Sequence, residues 1–323
     1  MSLIRTTEGF LDFAVERAGR ACQTWYTVFG DLDSGVRPLV ALHGGPGVSH
    51  NYLRPLKDLA EQYGIPIILY DQLGCGKSTH LPEKMGVGDF WTEQLFMDEL
   101  DNLVAQLGIR DSFDAVGHSW GGMLLSRYAT THPQGLRKLI IACSPASMKT
   151  WVSEADKLRE KLPQDVQAIL EKHEAEGTTD SEEYEAAVEV FYKRHVCRVD
   201  PYPQDLADSF ENLKKDPTVY MTMQISLFLL NRITFTDRLN RNGPSEFFVS
   251  GSLNNWEIIE EIHKITVPTM LINGHYDEAT DIAVEPFTKI ANVKWVKFME
   301  SSHSPMHEER EKFMRVISDF LKS

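Results

Sequence analysis

Short apolar runs bounded by turn residues alternate along the chain with longer stretches in which apolar residues recur every three or four positions. The runs are Pro38–Leu42, Ile65–Tyr70, Phe113–Val116, Leu139–Cys143, Thr269–Ile272 and Val293–Phe298. Most of the intervening segments have helical spacing. In Phe90 to Leu107, for example, Leu95, Leu100, Leu103, Val104 and Leu107 fall largely on one face. Short strands alternating with helices predict an α/β architecture, a mostly parallel sheet with helices on both faces. Ahead of these, Phe10–Val15 and Cys22–Phe29 flank Ala18-Gly19-Arg20 and read as a hairpin or antiparallel edge.

One connection breaks the rhythm. More than a hundred residues separate the strand ending near Cys143 from the one starting near Thr269. They read as charged helices over Val152–Lys161, Gln164–Glu176, Ser181–His195, Leu206–Lys214 and Tyr220–Leu230, punctuated by Pro163, Pro201, Pro203 and Pro217. Because core strands resume afterwards, residues 147–245 read as a helical cap inserted into a core of 1–146 and 246–323, rather than as an independent second domain.

The strongest chemical signal is Gly117-His118-Ser119-Trp120-Gly121, between the run Phe113–Val116 and a helix-like segment from Met123 to His132. A G-x-S-x-G turn between strand and helix holds its serine in a strained conformation, tolerates only small residues two positions either side, and presents the hydroxyl above the sheet. A serine needs a base, and the base needs an orienting carboxylate, in the chain order Ser, acid, His. Asp277 lies just past Thr269–Ile272 and His303 just past Val293–Phe298, where the acid and the base are expected. Glu278 is an alternative acid and His307 an alternative base, although His307 falls in a helix-like tail and is expected at the surface. His275 reads as a turn residue, His118 as packing beneath the nucleophile, and His173 and His195 as cap histidines. An oxyanion would take one N–H from Trp120, the residue after the nucleophile. The second is expected from Gly45, in the loop His43-Gly44-Gly45-Pro46-Gly47.

Composition adds constraints. The net charge is -14, with 47 acidic against 33 basic residues. No basic stripe is visible, so a nucleic-acid partner is not expected; the acidity serves solubility or favours cationic ligands. Cys22, Cys75, Cys143 and Cys197 are scattered, without CxxC pairing or finger-type spacing, so thiols and no metal are expected. Gly74-Cys75-Gly76-Lys77-Ser78 imitates the end of a phosphate loop, but the first glycine that loop requires is Asp71 here. Cys75 has no adjacent histidine in the sequence and is not expected to be a nucleophile. The N-terminus Met1–Gly9 lacks an apolar core, and no apolar run nears the ~18–20 residues that span a bilayer. A cytoplasmic protein, not associated with membranes, is expected.

Three segments together, His43-Gly44-Gly45-Pro46-Gly47, Asp71-Gln72-Leu73-Gly74-Cys75-Gly76-Lys77-Ser78 and Gly117-His118-Ser119-Trp120-Gly121-Gly122, resemble the proline iminopeptidases and the closely similar L-amino-acid amidases, α/β-hydrolases. The resemblance runs from about residue 8 to the C-terminus. It implies an α/β-hydrolase fold and cofactor-free removal of an N-terminal residue, preferably proline, from a small peptide or amino-acid amide with a free amine. It also implies that acids hold the substrate's α-ammonium. Glu278 matches one, and Glu246, in Gly243-Pro244-Ser245-Glu246-Phe247, resembles the other. Charge-assisted hydrogen bonds of this kind would measure one residue from the N-terminus. The rivals are an L-amino-acid amidase or small-molecule esterase on the same scaffold and, from another class, a binding protein that keeps the fold without turnover. Epoxide hydrolases and haloalkane dehalogenases place Asp where Ser119 stands.

Overall fold

Eight strands form a single sheet in the computed structural model, which describes residues 4–179, 181–224 and 251–323. They are β1 (Thr6–Phe13), β2 (Cys22–Phe29), β3 (Leu39–Leu42), β4 (Ile67–Tyr70), β5 (Phe113–His118), β6 (Leu136–Ala142), β7 (Thr269–Gly274) and β8 (Val293–Phe298). Their spatial order is β1-β2-β4-β3-β5-β6-β7-β8. β1 and β2 form the expected antiparallel pair, β2 also runs antiparallel to β4, and the remaining neighbours are parallel.

The continuous apolar runs reflect burial on both faces. Every residue of β3, β4, β5 and β7 is buried. Alternate side chains feed opposite cores. Val40, Leu42, Ile68 and Tyr70 join a cluster with residues of α2 (Glu93–Gln106) and α3 (Trp120–Ala129). Leu39, Ala41, Ile67 and Leu69 join one with residues of α1 (Lys57–Tyr63) and the C-terminal helix Arg310–Lys322. Helices therefore cover both faces. From β3 the chain steps first to β4 on one side and then to β5 on the other, so the carboxyl ends of β3 and β5 flank a topological switch point, where open α/β sheets bind ligands.

Between β6 and β7 the chain leaves the sheet for α4 (Met148–Arg159), α5 (Gln164–Glu176), α6 (Glu182–His195), α7 (Gln204–Lys215) and α8 (Thr218–Met223). Sequence spacing identified each helix, with α5 matching at both ends. The carboxyl part of the last expected helix and the 245/246 boundary lie outside the described residues. Leu170, Tyr184 and Phe191 from α5 and α6 build a separate small core. At α7 the inserted helices meet the sheet side, where Ser209 Oγ accepts the backbone N–H of Tyr52 at 3.0 Å. Among the described residues no helix is long and apolar enough to cross a membrane.

Candidate active site

Ser119 sits at the tip of the turn between β5 and α3 with φ 55° and ψ -126°, a region that side chains rarely occupy. Its neighbours must be small for the reason expected from sequence. A Cβ on Gly117 would lie 2.2 Å from the Gly121 carbonyl oxygen, and one on Gly121 would lie 2.2 Å from that of Leu42. The Ser144 hydroxyl donates to the Ser119 carbonyl at 2.8 Å and braces the turn from β6's side.

Asp277 and His303 come from the loops after β7 and β8 and meet, with Nδ1 of His303 2.7 Å from Oδ1 of Asp277. A carboxylate only accepts, so Nδ1 carries the proton, and in the neutral imidazole Nε2 keeps its lone pair. Asp277 is held by the Ala279 N–H on Oδ1 at 2.8 Å and the Gly274 N–H on Oδ2 at 3.4 Å. Both residues are buried. The neighbouring acid Glu278 is buried too, and its Oε1 lies 3.6 Å from His303 Nε2. Glu278 therefore faces the imidazole from the opposite side and is not the partner of Nδ1. Glu246 lies outside the described residues.

Ser119, His303, Glu278, Gly44 and Gly45 line one cavity together with Tyr192 of α6 and Phe210 of α7, whose rings stack at 6.0 Å. The cavity thus lies over the switch point and beneath the inserted helices. Gly45 has φ 112°, and a Cβ on Gly44 would stand 2.8 Å from that of Ser119, so this loop approaches the nucleophile as only glycine allows. Trp120 is the first residue of α3, and its N–H has no acceptor within the helix.

The other histidines separate by environment. His118 is buried beside His303, with ring centroids 4.7 Å apart, and burial holds it well below the ordinary imidazole range. His275 is an exposed turn residue, and His173 and His195 lie on α5 and α6. His307 is not at the surface as expected: it is half-buried, and its Nε2 lies 2.8 Å from the Tyr52 carbonyl, away from Asp277's partner. Cys75 does have a histidine nearby in space, with His43 Nε2 3.5 Å from Sγ, but burial pushes the thiol well up. His43, Asp71 and Cys75 come close enough to ligate a metal. However, His43 Nε2 accepts the Gln72 N–H, and Asp71 accepts from His50 and Lys77, so those lone pairs are taken.

The chain as a whole is similar to known proteins. A model described as the alpha/beta hydrolase fold matches residues 37–310. The proline iminopeptidase of Heyndrickxia coagulans is 36% identical over 318 residues, 98% of this chain and 99% of its own. The chain belongs to the proline iminopeptidase family of α/β hydrolases. A further proline iminopeptidase, from Saccharolobus solfataricus, is 36% identical over 286 residues, 88% of this chain and 84% of its own. Among solved structures, VinJ shares 47% identity with a TM-score of 0.87. The proline iminopeptidase of Mycobacterium smegmatis shares 39% with a TM-score of 0.85, and each covers 98% of both chains.

Three contributors within this family fold escaped sequence reasoning. The His195 carbonyl, at the end of α6, accepts the N–H of Glu278 at 3.3 Å and that of His303 at 3.2 Å, tying the inserted helices to both loops of the pair. Tyr52 and Gln72 bond to the glycine loop. Only Gln72 carried a signal, its place in the Asp71–Ser78 motif.

Proposed function

We propose that the protein is a serine hydrolase that releases an N-terminal residue, preferably proline, from small peptides or amino-acid amides, with Ser119, His303 and Asp277 as the triad. Residues 147–245 act as the cap over a core of 1–146 and 246–323. Ser119 Oγ attacks the carbonyl of the N-terminal residue and its proton passes to His303 Nε2, while Asp277 fixes the imidazole tautomer. The N–H groups of Gly45 and Trp120 take the oxyanion. His303 Nε2–H then protonates the leaving amine, and a water activated by the same nitrogen hydrolyses the acyl-enzyme.

The observation that carries this reading, in place of a general esterase, is the buried Glu278 carboxylate in the cavity that also holds Ser119 and His303. A buried acid among apolar side chains pairs with a cation, and an α-ammonium is the cation an N-terminal residue supplies. The relatives' names point the same way, and Tyr192 and Phe210 offer a ring-like acyl group an apolar wall. Glu246 is the proposed second acid. Cytoplasmic action on small free-amine substrates completes the reading.

The test is a panel of prolyl, alanyl, leucyl and phenylalanyl naphthylamides with free or acetylated amines. Cleavage led by free-amine prolyl substrate and lost on acetylation is expected. Ser119→Ala should lower kcat by roughly 10⁴-fold or more. Glu278→Gln should raise KM for free-amine substrates about tenfold or more and narrow their advantage over acetylated ones. Indifference of the wild type to acetylation would overturn the ammonium role, and full turnover by Ser119→Ala would overturn the mechanism.

A further inference from the structure

The Asp71–Ser78 segment takes no part in the chemistry above, yet its first two side chains are fully buried: Asp71 is 0% and Gln72 1% exposed. The Gln72 carboxamide lies between two loops. Its Nε2 donates to the His43 carbonyl at 3.0 Å, and its Oε1 accepts the indole N–H of Trp120 at 2.9 Å. A carbonyl only accepts and an indole N–H only donates, so this is the one amide orientation that satisfies both ends. The Gln72 backbone N–H donates to His43 Nε2 at 3.0 Å, which leaves Nδ1 as the protonated nitrogen, donating to the Gly44 carbonyl at 3.0 Å. Burial holds the His43 imidazole down to about 4, so this neutral tautomer persists at neutral pH.

Gln72 thus grips His43-Gly44 on one side and Trp120 on the other. These are the residues that precede one proposed oxyanion donor, Gly45, and that supply the other. Resting on that assignment of the donors, we infer that Gln72 is a positioning residue that fixes their spacing, acting through Trp120 and the His43-Gly44 backbone without touching substrate. Oxyanion stabilisation needs donors already in place around an oxygen that becomes charged only in the transition state. A residue that sets their spacing therefore acts on kcat and leaves ground-state binding alone.

Two substitutions test this. Gln72→Met keeps the length and removes both polar ends. Gln72→Glu keeps the shape and makes one hydrogen bond conditional on a proton. When protonated, the introduced carboxyl donates to the His43 carbonyl and still accepts from Trp120; when ionised, it faces that carbonyl with no donor. Burial places its titration above the ordinary carboxylate range. The readouts are kcat and KM on the best naphthylamide of the panel, the affinity of boroproline (whose tetrahedral adduct places an oxygen in the oxyanion position), and inhibition by free proline.

For Gln72→Met we expect kcat about 10- to 100-fold lower, boroproline affinity weakened in step, and KM and proline inhibition within about threefold. For Gln72→Glu we expect activity near wild type at acid pH, with the variant-to-wild-type ratio falling as pH rises. If Gln72→Met does not fold, Gln72→Glu carries the test, because its protonated form keeps both hydrogen bonds. A Gln72→Met variant that folds with kcat and boroproline affinity within about twofold of wild type overturns the inference, and so does a Gln72→Glu variant that stays within about twofold at pH values above the titration of its introduced carboxyl, located from the pH dependence of its melting temperature. The reading of the active site fails separately, through Ser119→Ala retaining turnover.

Discussion

A single hydroxyl joins the glycine loop to the histidine loop. Tyr52 Oη accepts the Gly44 N–H at 2.7 Å and donates to His118 Nδ1 at 2.9 Å. His118 Nε2–H donates in turn to the His303 carbonyl at 2.7 Å. Because that carbonyl only accepts, the direction of the chain is fixed, and the neutral imidazole that burial enforces is the form it requires. Tyr52→Phe would leave a buried N–H and a buried ring nitrogen without partners. We expect it to destabilise the fold by about 2 kcal/mol or more, measured by urea unfolding, and to lower kcat in the folded fraction. Equal stability and equal kcat would show that the hydroxyl is dispensable. At this scale the proposed triad, Ser119, Asp277 and His303, could be singled out because each sits at a fixed offset from a strand end, and the fold brings Ser119 and His303 to one cavity with Asp277 against His303. Tyr52 was not legible, because its partners stand at positions 44 and 118 and only the folded sheet brings them together. The expectation for His307 failed for the same reason: the tail's helical spacing carries no trace of the Tyr52 carbonyl that its ring reaches.

Among elements, Glu99 links α2 to two others. Its carboxylate accepts the Thr24 hydroxyl from β2 at 2.5 Å and the Leu73 N–H from the loop after β4 at 3.0 Å. Burial pushes this acid from 4.5 up to about 7, against the pull of both hydrogen bonds. Between those two pH values the native state holds a proton that the unfolded chain has lost, so this group makes stability fall as pH rises through the window. His43, lowered from 6.5 to about 4, has the opposite slope and loses stability as pH falls. Glu99→Gln keeps both contacts, its carbonyl accepting from Leu73 and its amide donating to Thr24 Oγ1. We therefore expect its melting temperature relative to wild type to climb between pH 5 and 8, by the equivalent of roughly 2–3 kcal/mol in total. Parallel melting curves across that range would show that Glu99 does not titrate there. Element boundaries themselves were read to within a few residues, and the deviations have local causes. The helix expected from Phe90 starts at Glu93, because Thr92 Oγ1 caps it by accepting the Leu95 N–H. α3 starts at Trp120 because the nucleophile turn passes straight into helix, and Ser181 stands outside α6 as its cap. The 3-10 turn Asn51–Leu56 and α1 gave no spacing strong enough to read.

On the scale of the whole molecule, the alternation of strands and helices and the order Ser119, Asp277, His303 were enough to place the site at the carboxyl ends of a parallel sheet. What they could not show is how the inserted helices hold that site, since the decisive contact is a backbone carbonyl, that of His195, which no side-chain pattern encodes. The overall charge was legible directly. A net charge of -14 surrounds a cavity whose proposed substrate enters with an ammonium group. The two attract over distances set by ionic screening, with a Debye length of about 10 Å at 0.1 M salt and about 30 Å at 0.01 M. A neutral ester hydrolysed by the same Ser119 would feel no such field, yet would share the proposed triad, the proposed oxyanion donors and any salt effect on folding. Taking kcat/KM for prolyl naphthylamide over that for p-nitrophenyl acetate therefore isolates the attraction. We expect this ratio to fall several-fold between 10 and 500 mM NaCl at a pH where the amine is protonated, and to lose most of that dependence in Glu278→Gln if the local acid provides the larger share. A ratio that falls equally in both would assign the effect to the surface charge as a whole, and a flat ratio in the wild type would show that the acidity serves solubility alone.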